Sequence, residues 1–173
     1  MKKLFAILLA VTMLASMATV ASAAENTTTL TTTVPAATYT LNIPADQKIP
    51  FGSTSKSIGN VTITDASGFA EGKNLKVKVV YGAFECEDVT TTIPFRLEAY
   101  WASAANLEVA SGSSLTFYGD DTGALTESAQ VHYNDKYHNV ESIILKTDSA
   151  DWGKALAGEY TATITYTAEV VVE

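Results

Sequence analysis

The chain has 173 residues, 47% of them hydrophobic and 17% charged, with 19 acidic against 11 basic side chains and a formal net charge of −8. That balance argues against nucleic acid and anionic lipid as partners, because both are held by Lys and Arg contacts to phosphates. A single cysteine, Cys86, excludes an internal disulfide, and the length suits one domain with a core of its own.

Lys2 and Lys3, the apolar run from Leu4 to Val20 and the small residues Ala21-Ser22-Ala23 have the layout of a secretory signal peptide, with cleavage expected between Ala23 and Ala24. Thr12, Ser16 and Thr19 interrupt the run, and a retained spanning helix needs roughly 20 apolar residues. No second hydrophobic run follows, so the mature form is expected to carry no transmembrane anchor and to be secreted, extracellular or at the cell surface. Loss of Lys2 and Lys3 deepens its net charge to about −10. The expected organisation is a signal peptide over 1–23, a Thr-rich extended leader over 24–37 and a β-sandwich domain over 38–173. Within the leader, Thr28, Leu30, Thr32 and Val34 share one parity. Leu30 and Val34 are the apolar pair that would anchor it as an assembly strand on an open sheet edge.

Beyond the leader, apolar residues recur with period two. Tyr39, Leu41 and Ile43 alternate with Thr38, Thr40 and Asn42 up to Pro44, and Val61 with Ile63 makes a short strand. Leu75, Val77, Val79 and Tyr81 oppose Lys76 and Lys78, ending at Gly82. Ile93, Phe95, Leu97, Ala99 and Trp101 alternate with Arg96, Glu98 and Tyr100, and Pro94 suggests that this strand begins at an edge. Leu107 with Val109, Leu115 with Phe117, Val131 with Tyr133 and Ile143 with Leu145 are further candidates. One helical turn is expected within Thr147 to Ala157. The last strand is expected from Tyr160, with Tyr160, Ile164 and Tyr166 buried and Thr161, Thr163, Thr165 and Thr167 opposite. Seven to nine short strands broken by Gly, Asn, Asp and Ser predict an all-β fold, an antiparallel two-sheet sandwich of Ig-like or pilin-like type.

Catalytic patterns are sparse. No Gly-x-Ser-x-Gly elbow occurs, and Ser53-Thr54-Ser55-Lys56 matches Ser-x-x-Lys without its companion motifs. His132 and His138 flank a turn at Asn134-Asp135, but zinc requires three or four ligands. Asp120, Asp121 and Asp135 have oxygens suited to calcium, but Tyr118 to Gly123 reads equally as a tight turn. Glu85, Glu87 and Asp88 disfavour a thiolate at Cys86. No enzyme activity, metal or other cofactor is therefore expected. Aromatic side chains near turns or on outer strand faces, Tyr100, Tyr118, Tyr133 and Tyr137, are the candidates for stacking on a glycan.

Two stretches carry a resemblance. Tyr39-Thr40-Leu41-Asn42-Ile43-Pro44 resembles the Tyr-x-Val-x-Ile-Pro opening of small secreted Gram-positive sandwich proteins, and Ala157-Gly158-Glu159-Tyr160 to Tyr166 resembles their closing strand. The closing strand is also similar to that of fimbrial subunits of the spore-coat-U type and, distantly, to WxL cell-surface domains. The Trp-x-Leu motifs of the latter are missing, since the tryptophans read Trp101-Ala102-Ser103 and Trp152-Gly153-Lys154, so peptidoglycan binding is not implied. The resemblance implies a non-enzymatic surface or extracellular structural protein, fimbria-like or adhesin-like, that associates with itself or a cell-surface partner. A carbohydrate-binding module with a polysaccharide partner is the alternative.

Overall fold

The computed structural model describes residues 36–101 and 106–172, so the expected signal peptide and the candidate assembly residues Leu30 and Val34 lie outside the described residues. The chain begins with β1 (Thr38–Asn42), β2 (Ser55–Gly59), β3 (Thr62–Ser67) and β4 (Lys73–Tyr81). There follow β5 (Phe84–Cys86), β6 (Val89–Ile93), β7 (Phe95–Tyr100), β8 (Asn106–Val109) and β9 (Ser114–Phe117). Then come β10 (Gln130–Tyr133), β11 (Lys136–Asn139), β12 (Ser142–Thr147), a short helical turn α1 (Ser149–Trp152) and β13 (Ile164–Val172). A five-stranded sheet in the order β11-β10-β9-β4-β13 and a four-stranded sheet in the order β2-β12-β7-β8 form the two layers, with β1-β3 and β5-β6 pairs beside them. Every pairing is antiparallel. The fold is an all-β sandwich, as the alternation predicts, with more strands than the seven to nine expected.

The core lies between the layers. Leu75, Val77 and Val79 of β4 and Leu115 and Phe117 of β9 turn inward from one sheet and meet Leu97 and Ala99 of β7 and Ile143 and Leu145 of β12 from the other. Lys76 and Lys78, one residue out of phase, fall on the outer face, as period-two geometry requires. Among the described residues no helix is long and apolar enough to cross a membrane.

Two expectations are corrected. Pro94 does not start an edge strand. It separates β6, which pairs with β5, from β7, which sits between β12 and β8. With no N–H to give to a ladder, the proline is accommodated in the break between strands rather than inside one. The final strand, in turn, starts at Ile164 rather than Tyr160, because Thr161 exchanges two backbone hydrogen bonds of 2.8 Å with Glu85 and so joins the β5-β6 pair. Among the described residues β13 is also an edge strand, and its inward residues Ile164 and Tyr166 are half-buried rather than enclosed. Tyr160 is likewise half-buried, outside any strand.

The β10-β11 hairpin has a local cause. Asn134 and Asp135 both adopt positive φ, 50° and 57°, as the two-residue turn that matches strand twist demands. Register follows, with His132 opposite Tyr137 and Tyr133 opposite Lys136.

Core position and edge position should differ in cost. Leu97→Ala, at 0% exposure, is expected to lower unfolding free energy by about 2–5 kcal/mol. Ile164→Ala should cost less than half as much, and Thr163→Ala no more than about 0.5 kcal/mol. Urea denaturation of the three variants checks the order; an Ile164 effect equal to that of Leu97 would place β13 inside the core after all.

Candidate functional site

Two features stand out on the described part of the molecule: an apolar cleft at one end of the sandwich and an aromatic group on the outer face of the five-stranded sheet. The cleft is built where β1 runs out. After Asn42, the segment from Ile43 to Phe51 leaves the sheet, with the Gln47 amide donating to the Ile58 carbonyl. A turn closed by Ser53 N donating to Pro50 O at 3.1 Å, with Gly52 at φ 75°, exposes Phe51 at its tip. The ring of Phe51 meets Trp152 edge-on at 5.4 Å. Trp152 is fixed in turn by its Nε1, which donates to Ser53 O at 3.0 Å and to Thr147 Oγ1 at 2.9 Å. Asp148 caps α1 by accepting from Ala150 N at 2.8 Å, which sets the tryptophan at the helical end.

The opposite wall comes from Phe84, Ile93 and Phe95, with Ile58, Leu145, Ile164 and Tyr166 along the floor. The cleft has a volume of about 980 Å³. Asp46, Lys48 and Glu159 are the carboxylates and amine of its lining. The Tyr166 hydroxyl is buried and without a hydrogen-bond partner among the described residues. Burial pushes it up from 10.0 to about 12.

Cys86 sits beside this end of the molecule and is buried against Gly158. A Cβ at Gly158 would stand 2.5 Å from the Cys86 sulfur, so any larger residue here would force the thiol to move. The packing of Gly158 against a residue 72 positions away had no local signal.

The aromatic group gathers two of the four candidate tyrosines. Tyr118 and Tyr137 meet at 4.2 Å between ring centroids, and His132 lies 5.0 Å from Tyr137. Tyr133 faces the other way, against the buried Trp101 at 5.9 Å, and Tyr100 stands on the outer face of the four-stranded sheet. Hairpin register separates them, since neighbours along a strand point to opposite faces. The same rule parts the two histidines: His132 joins Tyr137, while His138 stacks on Trp101 at 5.1 Å. They share no ligand position, and among the described residues no three of His, Cys, Asp and Glu converge. Asp120 organises its own turn, with Oδ1 accepting from Thr122 N, Thr122 Oγ1 and Ala124 N at 2.8, 2.7 and 3.0 Å. Those bonds hold its carboxyl below the ordinary value. Ser53 of the Ser-x-x-Lys stretch donates to Ser55 O at 3.3 Å.

Comparison with known proteins adds no relative: no family model matches the sequence, and no curated protein or solved structure matches it.

Tyr166 gives a pH signature. A proton held more tightly in the folded chain than in the unfolded one contributes stability that is complete below pH 10 and lost as the pH rises through about 12. Tyr166→Phe should remove that part of the alkaline loss and raise stability at neutral pH by about 1 kcal/mol, because the unpaired hydroxyl goes with it. Thermal melts of both proteins between pH 7 and pH 12 check this; parallel curves would mean that the hydroxyl is solvated.

Proposed function

We propose that the protein is a secreted, non-enzymatic structural subunit of the cell surface or extracellular matrix, fimbria-like or adhesin-like, that assembles by strand addition at its open end. One observation carries the reading: β13, a nine-residue strand, is unpaired along one side among the described residues, and its Ile164 end borders the apolar cleft. Unpaired edge N–H and C=O groups are a template for another strand, and apolar pockets beside them accept alternate side chains. Exposed Phe51, Ile43 and Leu156 at the cleft mouth are apolar area that an occupant would remove from water.

The Thr-rich leader of a neighbouring copy is the occupant of choice. Its parity fits on both sides. With Leu30 and Val34 turned inward, Thr29, Thr31 and Thr33 turn outward, beside Thr165 and Thr167 on the outer face of β13. Thr–Thr neighbours across strands are favourable by a few tenths to about 1 kcal/mol.

The test compares secreted protein starting at Ala24 with protein starting at Thr38, by size exclusion and electron microscopy at high concentration. Oligomers or filaments are expected from the longer form alone, and Leu30→Arg with Val34→Arg in that form should abolish them. Identical monomers from both forms would remove assembly, and identical oligomers would remove the leader as the joint.

A further inference from the structure

The outer face of the five-stranded sheet carries a continuous polar row. Reading across the strands by register, Glu169 lies opposite Lys76, Lys76 opposite Thr116, Thr116 opposite Gln130, and Gln130 opposite Asn139. Thr116 is itself covered, at 7% exposure, so the row offers a carboxylate, an ammonium and two amides on one surface. Adjacent strands stand about 4.8 Å apart, so the five positions span roughly 19 Å. At one end, the Gln130 side-chain amide donates to Asn139 Oδ1 at 2.7 Å, which orients both amides.

Rings stand above this row. Tyr118, two residues beyond Thr116 on the same face, meets Tyr137 of β11 although β10 runs between their strands, so the two rings close over the outer surface of β10. His132, opposite Tyr137 in the hairpin, completes a ledge of three rings. Tyr137 is 54% exposed and so presents ring surface to solvent. Nothing in the core needs these rings: the inward side chains of the same strands, Leu115, Phe117 and Val131, already fill the interior.

We propose that this face is a binding site for a neutral oligosaccharide chain lying across the strands, with a sugar ring on the Tyr118–Tyr137 ledge and hydroxyls along the row from Asn139 to Lys76. The chemistry is complementary. The C–H face of a sugar packs on the electron-rich face of an aromatic ring. Its hydroxyls both donate and accept, as do the amide side chains of Gln130 and Asn139, and Lys76 and Glu169 add a donating and an accepting group. Charge selects against acidic glycans: the row is balanced in sign, and the chain as a whole carries −8. The site does not depend on strand addition, since it uses side chains of an outer face rather than the open edge.

The secreted protein is applied to an array of printed neutral and acidic oligosaccharides, and the best ligand is then titrated calorimetrically. Binding is expected among the neutral glycans, with Tyr137→Ala weakening it about tenfold or more. Tyr133→Ala, which removes a ring from the same hairpin on the opposite face, should bind as the parent does. Matching circular dichroism melts establish that both variants fold. Binding confined to acidic glycans, absence of binding across the array, or equal losses from Tyr137→Ala and Tyr133→Ala would each overturn the proposal.

Discussion

Leu75, Val77 and Val79 stand on the inner face of β4 at no more than 1% exposure, while β4 is paired along its whole length with β13 and over Leu75–Lys78 with β9. Because side chains alternate with period two, burying that face fixes which residues of both neighbours look inward. A slip by one residue would drive Lys76 and Lys78 into the core, where unpaired charges are far too costly to keep. The register therefore does more than hold the sheet together. It puts Tyr166 on the inward side of β13 and Glu169 on the outward side. It also puts Thr116 between Lys76 and Gln130. The cleft floor and the polar row are two consequences of one packing constraint.

The open end has separate causes. Pro94 breaks what would otherwise run on from β6 into β7, and the chain before it is diverted into the pair with β5. Thr161 then spends its backbone bonds on Glu85, so the last strand cannot begin until Ile164. Between these two diversions, no strand among the described residues covers the inward residues at that end of the sandwich. Trp152 and Phe51 narrow the gap, and their positions rest on the hydrogen bonds of Trp152 to Ser53 and Thr147. The cleft is thus held apart by paired backbone and an anchored indole.

Long alternating runs were legible in the sequence, and for a plain reason: β4, β7, β12 and β13 each put enough apolar residues on one face to reveal the period. β2 was not, because Ile58 is the single large apolar residue in Ser55–Gly59 and the strand is recruited by its partner β12. β5 and β11 were missed for the same lack of pattern. The edge position of β13 was hidden too, since alternation reports that one face is covered and says nothing of how many neighbours a strand has. Tyr118, Tyr133 and Tyr137 were picked out as candidates because they lie near turns, and Tyr100 because it points outward from a strand. That Tyr118 and Tyr137 meet while Tyr133 turns away depends on the Asn134-Asp135 turn, whose two positive-φ residues set the register of the hairpin. The turn itself was readable; its consequence for which rings share a face needed the pairing.

β13 belongs to both proposed sites, yet offers different atoms to each. Strand addition draws on the free backbone groups of its edge and on the inward side chains Ile164 and Tyr166, whereas the glycan face draws on the outward Glu169. A sixth strand placed beside β13 with Leu30 and Val34 inward would set Thr29, Thr31 and Thr33 outward, extending the polar row by one more rank of hydroxyls. Assembly on that geometry leaves the Tyr118–Tyr137 ledge, two to four strands away from the joint, untouched and lengthens the surface that a polysaccharide can follow. An assembled array of such subunits would then present many weak sites at fixed spacing. Linked sites gain avidity from effective concentration without any new contact, by about 10²–10⁴ where the geometry allows simultaneous engagement. A modest single-site affinity at an exposed ledge is therefore compatible with firm attachment by the assembly.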